Sequence, residues 1–447
     1  MLTIISFVSL FILLYISIKH IQYSFAVFMT IFMLLPNLNF GALNLFHLAL
    51  MTLIIGLFFN KKQKTESIKG LDKTFKIYAI SIMILSLFSV LMGQYLSMTN
   101  YLISMISLLL DYILIGVLFN HIFFQNIDIK IFDYTLYYTT TIVVLYAFLN
   151  YYLKSNPYQA YIVMYENMEV DISNSFLNEE RGVLRSRVSS TFAHPLMLGQ
   201  VLLLATSYIQ YKIRTKTYRW LSISALLLTT FMTGSRSSII PVIISVLLFT
   251  FCHKSIKLKK NILLTLVFII FTYVMIPKSY QDTILDMVNV WNQSESKIEI
   301  QGSSTELRQN QLQSTINILD SDIIIGRGKG YVNYYGKKHK EMFGYESIIF
   351  TELFDNGIIG LLFFFIFYIT LYIKLLKFAK TKRNKYRVHS LCLPFLLSGI
   401  MTGNQYGIFT IYIILYIMTL HSIRNEENVV SKIINYDTKN PSLLLAK

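Results

Sequence analysis

Residues 357–373 read GIIGLLFFFIFYITLYI, and residues 374–387 read KLLKFAKTKRNKYR. The first stretch carries no charge; the second holds seven Lys and Arg and no acid. Extended back to Ser347, the apolar run is long enough to cross about 30 Å of hydrocarbon as a helix. The cation-rich run behind it has the composition of a connector retained on the cytoplasmic side of a membrane.

Three further connectors repeat the pattern. Residues 61–73 hold five cations and two acids, while 211–219 and 253–260 hold four cations each and no acid. Twenty of the forty Lys and Arg therefore lie in four short segments, and they account for the net charge of +16. None of these segments has room to fold as a basic domain, so nucleic acid is not an expected partner. With 54% hydrophobic, 15% aromatic and 14% charged residues, the chain carries more apolar surface than a soluble core of this size can hide.

Apolar stretches at 1–18, 21–38, 41–59, 74–94, 101–124, 134–153, 188–210, 220–233, 237–251, 261–277 and 347–371 read as spans. A last run over 388–421 is interrupted at Gly403-Asn404-Gln405 and reads as two short spans. The expected fold is an all-α polytopic membrane protein with about 12–13 transmembrane helices. Its first span lacks a basic leader and a small-residue cleavage site, so it is expected to be retained. Placing 61–73 in the cytoplasm puts the other basic connectors there too, with the N-terminus outside. The same alternation sends 154–187 and 278–343 outside, where thirteen acids face twelve Lys and Arg. The expected regions are N-terminal helices 1–153, an extracytoplasmic loop 154–187, central helices 188–277, a large extracytoplasmic loop 278–346, C-terminal helices 347–421 and a cytoplasmic tail 422–447.

In the large loop, Ser303 and Glu306 have capping-box spacing, and Leu312, Ile316 and Leu319 follow at i, i+4, i+7. This predicts an amphipathic helix over 304–319, on the membrane surface or over a cavity. Gly326-Arg327-Gly328-Lys329-Gly330 lacks the spacing and the Ser/Thr of a nucleotide-binding loop; the glycines read as a tight turn. The two cysteines, Cys252 and Cys392, form neither a disulfide framework nor a metal motif.

Candidate functional residues are the cations outside the connectors. Arg236 sits in Thr233-Gly234-Ser235-Arg236-Ser237-Ser238, a polar break at the expected outer surface. A guanidinium stays charged and matches phosphate with two donors, although an arginine at a helix end also snorkels. Arg181, Arg185 and Arg187 precede the next outer boundary, with His194-Pro195 close behind. They read as anion ligands or as interfacial anchors, and Arg308 as a ligand or as a solvated helix residue. Glu346 sits among apolar neighbours, placed as a general base or as a helix N-terminal acid. Asp111, in mid-span, suits a proton-coupled transporter or a hydrogen bond between helices.

The ordered set resembles the bacterial O-antigen polymerase/ligase family, the Wzy and WaaL proteins. The matching elements are Arg187 with Thr191-Phe192, His194-Pro195 and Gly199; Gly234-Ser235-Arg236-Ser237-Ser238; Leu307-Arg308; Ile325 to Gly330; and Tyr345-Glu346-Ser347 leading into Asp355-Asn356-Gly357-Ile358-Ile359-Gly360. The resemblance implies a GT-C-like, metal-independent inverting glycosyltransferase at the periplasmic face of the bacterial inner membrane, without a cofactor. It implies a polymerase of O-antigen or capsular repeat units carried on undecaprenyl diphosphate, with a Wzz-like chain-length regulator as partner. Arg187, Arg236 and Arg308 would hold the diphosphate, aided by Arg185 and His194; Glu346 and Arg236 would be catalytic. Glu346 stands near where the family's ligases carry a His, which favours polymerase over ligase. A ligase transferring polymer to the lipid A core and a flippase are the alternatives.

Overall fold

A bilayer core offers no water to backbone N–H and C=O groups, so each apolar run must satisfy them within its own helix. The computed structural model follows this rule; it describes residues 2–35, 39–40, 43–59, 71–93, 98–110, 128–160, 187–213, 215–252, 305–338, 347–403 and 407–439. The first helices are α1 (Leu2–Lys19), α2 (Ile21–Leu34), α3 (Leu45–Phe58), α4 (Leu71–Gly93), α5 (Met98–Leu108) and α6 (Ile129–Leu153). After them come α7 (Pro195–Ile209), α8 (Lys216–Met232), α9 (Arg236–Cys252), α10 (Thr305–Leu319) and α11 (Tyr331–Lys338). The last are α12 (Ile348–Phe378), α13 (Lys382–Thr402) and α14 (Ile408–Lys439). Two-residue strands, β1 (Asn39–Phe40) and β2 (Leu43–Asn44), pair antiparallel between α2 and α3.

The chain is an all-α polytopic membrane protein. Among the described residues Lys73–Met92, Ile348–Phe378 and Ile408–Glu426 are long and apolar enough to cross a membrane, and six shorter apolar helices accompany them. Two helices form the centre. All residues of α7 except Leu196 are buried, as is every residue from Ile408 to Leu420 in α14. The peripheral helices instead expose apolar stripes at helical spacing: Ile77, Ile80, Ile84, Phe88 and Leu91 on α4, and Ile358, Leu362, Ile366, Ile369 and Ile373 on α12. A stripe of that kind is stable only against lipid or another apolar surface.

Several boundaries differ from the sequence reading. The span expected over 188–210 begins only at α7, because Pro195 occupies the first turn and His194 caps it. The apolar residues before it form turns instead. The segment 388–421 does split in two, but α13 starts at Lys382 and the chain turns at Gly403 and Gly407, both with positive φ. Helix α12 reaches Phe378 and is kinked at Gly357 (φ 65°, ψ −168°). The amphipathic helix is present as α10, yet its packed face is not the expected one. Gln311, Thr315 and Leu319 are buried, whereas Leu312 and Ile316 are 38% and 41% exposed. Polar residues with satisfied partners can face a bundle as well as Leu does: Thr315 returns its hydroxyl to Gln311 O at 2.6 Å. The expected span over 261–277 and Asp111 lie outside the described residues.

The two ends of the bundle are distinct. Helices α4 and α12 run antiparallel: Lys374 donates to Thr74, Tyr78 stacks on Phe367 at 4.3 Å, and Ser89 reaches Ile325 O at 3.0 Å at the opposite end. At the Lys374 end, Arg383 donates to Tyr211 O (3.1 Å), and Ser422 accepts from Lys212 (3.2 Å) and Arg387 (3.1 Å). Lys212 also pairs with Asp133 at 2.9 Å. Ser390 donates to Ser245 O at 3.4 Å, which aims the C-terminus of α9 at this end as well. The helices leading to all four basic connectors therefore converge on one end, as their composition requires.

Sidedness gives a test. With Cys252 and Cys392 replaced by Ser, single substitutions Lys216→Cys and Lys380→Cys should react with an impermeant thiol reagent only from the cytoplasmic side of oriented vesicles. Lys154→Cys should react only from the other side. Labelling of Lys216→Cys and Lys380→Cys from opposite sides would refute the threading.

Candidate functional site

At the end opposite the basic connectors, an irregular segment from Arg187 to His194 wedges between α6, α2 and the start of α7. Non-helical backbone at this depth is tolerated only where protein satisfies its polar groups. Asn156 contributes to this at the centre of the segment. Its Nδ2 donates to Ser189 Oγ (3.0 Å) and Ser190 O (2.8 Å), and its Oδ1 accepts from Tyr146 OH (3.2 Å) and Gln159 N (3.2 Å). Ser190, in left-handed backbone with φ 54°, donates to Val143 O at 2.7 Å. Thr191 donates to Met33 O at 2.6 Å, and Gln159 Nε2 donates to Phe192 O. Tyr158 donates to Leu34 O at 3.0 Å; burial, then the neighbouring Tyr146, push its phenol above its ordinary pKa, so it remains a neutral donor.

The segment delivers Arg187 onto the turn that joins α8 and α9. Val188 N donates to Met232 O at 3.1 Å, and Arg187 Nε donates to Thr233 O at 2.9 Å. The guanidinium stem lies against Gly234, whose φ of 62° is a backbone conformation that favours glycine. Two residues on, Arg236 opens α9 half-buried, and a hydroxyl network surrounds it: Ser235 Oγ lies 2.9 Å from Ser237 Oγ and 3.3 Å from Ser238 Oγ. A side chain at Gly199 of α7 would strike Ser238. The absence of one lets the N-terminal ends of α7 and α9 approach. His194 Nδ1 accepts from Leu196 N at 3.1 Å, which leaves the ring proton of the neutral imidazole on Nε2.

The start of α12 joins this end. Gln200 of α7 donates to Gly403 O at 2.7 Å, and Ser347 Oγ donates to Ile400 O at 2.6 Å while capping α12 through Ile349 N at 3.2 Å. Three helix N-termini, those of α7, α9 and α12, thus open at the same end as Arg187 and Arg236. Their dipoles and the cations have the same sign, a combination suited to an anion. Among the described residues there is no group of three His, Cys, Asp or Glu arranged to hold a metal.

The glycine-rich turn also lies here, but its anion is internal. Gly326, Gly328 and Gly330 have φ of 71°, 99° and 94°, and the N–H groups of Gly330 and Val332 converge on the Asp355 carboxylate at 3.0 and 2.9 Å. Gly328 N donates to Asp355 O at 2.7 Å, Arg327 N to Phe354 O at 3.1 Å, and Lys329 N to Ser86 Oγ at 2.7 Å. Lys329 Nζ pairs with Glu352 at 2.8 Å, and the other Glu352 oxygen accepts from Asn356 at 2.7 Å. A loop with the shape of a phosphate nest is therefore filled by a side chain of α12.

Residues 220–365 match the sequence profile of the family described as O-antigen ligase, Wzy_C. This stretch carries the signature of the O-antigen polymerase/ligase family. It takes in α8, the Arg236 turn, α9, α10, the glycine-rich loop, α11 and the first half of α12, and supports a polymerase- or ligase-type, broadly glycosyltransferase-like function. A comparison with curated proteins gave no match.

Of the residues expected from sequence, Arg187 lies on the turn that precedes Arg236, and His194 caps α7 at the same end of the bundle. Arg308 lies on α10, one turn before Gln311, and its side chain is outside the described atoms. Arg181, Arg185 and Glu346 lie outside the described residues. Asn156, Gln159 and Asp355 were missed as organisers; Asn156-Pro157 signalled only a turn.

Asn156→Asp keeps the shape but replaces the Nδ2 donor by an oxygen. It should destabilise the purified protein by about 1–3 kcal/mol, read as a lower thermal midpoint, and should lower activity in parallel. An unchanged midpoint would show that the 187–194 segment is held by other contacts.

Proposed function

We propose that the protein is an O-antigen or capsular polysaccharide polymerase that joins undecaprenyl-diphosphate-linked repeat units at the periplasmic face of the inner membrane. The observation that carries this reading is Arg187 laid across the Gly234 turn immediately before Arg236, at the bundle end away from the basic connectors. The family match over 220–365 supports it.

In the reaction, the hydroxyl of an incoming repeat unit attacks the anomeric carbon of the growing chain. The bond from that carbon to the diphosphate oxygen breaks with inversion, and the lipid diphosphate leaves with the bonding pair. The acceptor proton passes to a base, for which Glu346 is the candidate. A diphosphate is already a good leaving group, so the protein's main task is to stabilise developing negative charge. Fixed guanidinium donors and helix N-termini do this in a water-poor site, where one lost donor typically costs about 10²–10³ in rate. Residues Arg187, Arg236 and Arg308 are assigned to the diphosphate, with Arg185 and His194 as further candidate ligands.

The family's description as O-antigen ligase favours a second reading, transfer of finished polymer to the lipid A core. Gene deletion separates the two. A polymerase deletion leaves surface glycan of a single repeat unit, whereas a ligase deletion leaves polymer stranded on the lipid carrier. Long surface chains persisting in the deletion strain would overturn both.

Arg236→Lys should lower turnover about 10²-fold or more at unchanged expression, because Lys lacks the planar two-donor fork. Polymer of normal length from a well-expressed Lys variant would remove Arg236 from the diphosphate site. Glu346→Gln should lower the rate about 10²–10⁴-fold if Glu346 takes the proton; a normal rate would assign the base elsewhere.

A further inference from the structure

We propose that Asp355 is a positioning residue. Its carboxylate, seated in the main-chain nest of the glycine-rich loop, sets the pose of the Arg308-bearing helix α10 over the α12 break. The proposal rests on the function proposed above.

A continuous set of contacts joins the two helices. Helix α10 runs directly into a 3₁₀ turn, Asp320–Ile324, and then into the loop. Arg327 ties that loop back to α10 and the turn, donating to Ile318 O and, at 3.3 Å, to Asp322 Oδ2. Asp355 ties it forward to α12 through Gly330 N, Val332 N and its own carbonyl. Sideways, Ser86 and Ser89 of α4 hold Lys329 N and Ile325 O. The backbones of Gly326 and Gly357 touch, and any side chain at either position would enter the other strand of chain. A tilt of helix α10 would therefore be passed through Arg327 and the loop to the Asp355 carboxylate and its two N–H donors.

The carboxylate is the element to which geometry is sensitive. It is buried, its oxygens accept separate main-chain donors, and Lys329 Nζ lies 3.6 Å away. Charge-assisted bonds to main-chain N–H groups are short and directional. An amide keeps only one acceptor oxygen and turns a donor toward a donor. Relaxation of the loop would move α10 as a body and misplace Arg308, while the apolar stripes and the α7–α14 core stay as they are.

The test is a double-mutant cycle in purified, reconstituted protein, with a synthetic lipid-diphosphate-linked repeat unit as substrate. Variants are Asp355→Asn, Arg308→Ala and the pair. Asp355→Asn should lower kcat/KM by about tenfold or more, and the pair should lie within about twofold of Arg308→Ala alone, because a misplaced arginine has little left to lose. Multiplying effects would overturn the proposal, since a general loss of fold stability would weaken both enzymes alike. Where Asp355→Asn fails to reconstitute, Ser86→Ala loosens the same loop at Lys329 N and should give the same non-multiplying pattern at smaller amplitude; multiplication there also overturns it. An inactive wild-type protein in this assay would count against the proposed function itself, whereas an active wild type with multiplying variants counts only against the role of Asp355.

Discussion

A guanidinium keeps its charge at any physiological pH, and close to hydrocarbon it must find an acceptor or reach water. Arg187 finds Thr233 O, with its stem across Gly234. That single contact fixes the arrangement around it. It stitches the irregular segment 187–194 to the α8–α9 turn and sets Arg187 beside Arg236. It also defines one end of the bundle as the cationic, polar end built from helix N-termini. The Asn156 clamp, the left-handed Ser190 and the Gly199 contact with Ser238 all keep the segment and the turn in register.

Separation of charge between the two ends follows from the same physics. Among the described connector residues, Lys212, Arg383 and Arg387 are paired at the Lys374 end, where Asp133, Ser422 and a main-chain carbonyl meet them. At the other end, among the described residues, Arg187 is buried and held by a main-chain carbonyl, and Arg236 is half-buried. An enzyme acting on a lipid-borne diphosphate needs this asymmetry. Diffuse positive charge fixes orientation in the membrane, while under the proposed function a small preorganised set acts on the reacting anion.

Much of this was legible in the sequence because hydropathy and charge act over long stretches. The all-α membrane fold, the common end of the basic connectors, helix α10 and the break near Gly403 follow from periodicity and composition. The meeting of Arg187 with the Gly234 turn was anticipated only through family resemblance, since nothing local joins positions so far apart in the chain. Other features were invisible for a physical reason. The start of α7 depends on one proline and one cap rather than on hydropathy, so the apolar run from Val188 overstated the helix. The packed face of α10 includes Gln311 and Thr315, the latter returning its hydroxyl to the helix, which periodicity of apolar side chains does not register. The glycine-rich loop has the look of an anion nest, and only tertiary structure reveals that Asp355 already fills it.

The most direct measurement is binding rather than turnover: ³¹P NMR titration of a short polyprenyl diphosphate into the purified protein in nanodiscs. Arg187 and Arg236 meeting at one anion site predicts saturable broadening of both phosphorus resonances by the wild type. It also predicts loss of that broadening when both arginines are replaced by Ala in a protein with an unchanged thermal midpoint. The same saturable broadening from the doubly substituted protein would contradict the account, because the diphosphate would then be held somewhere else.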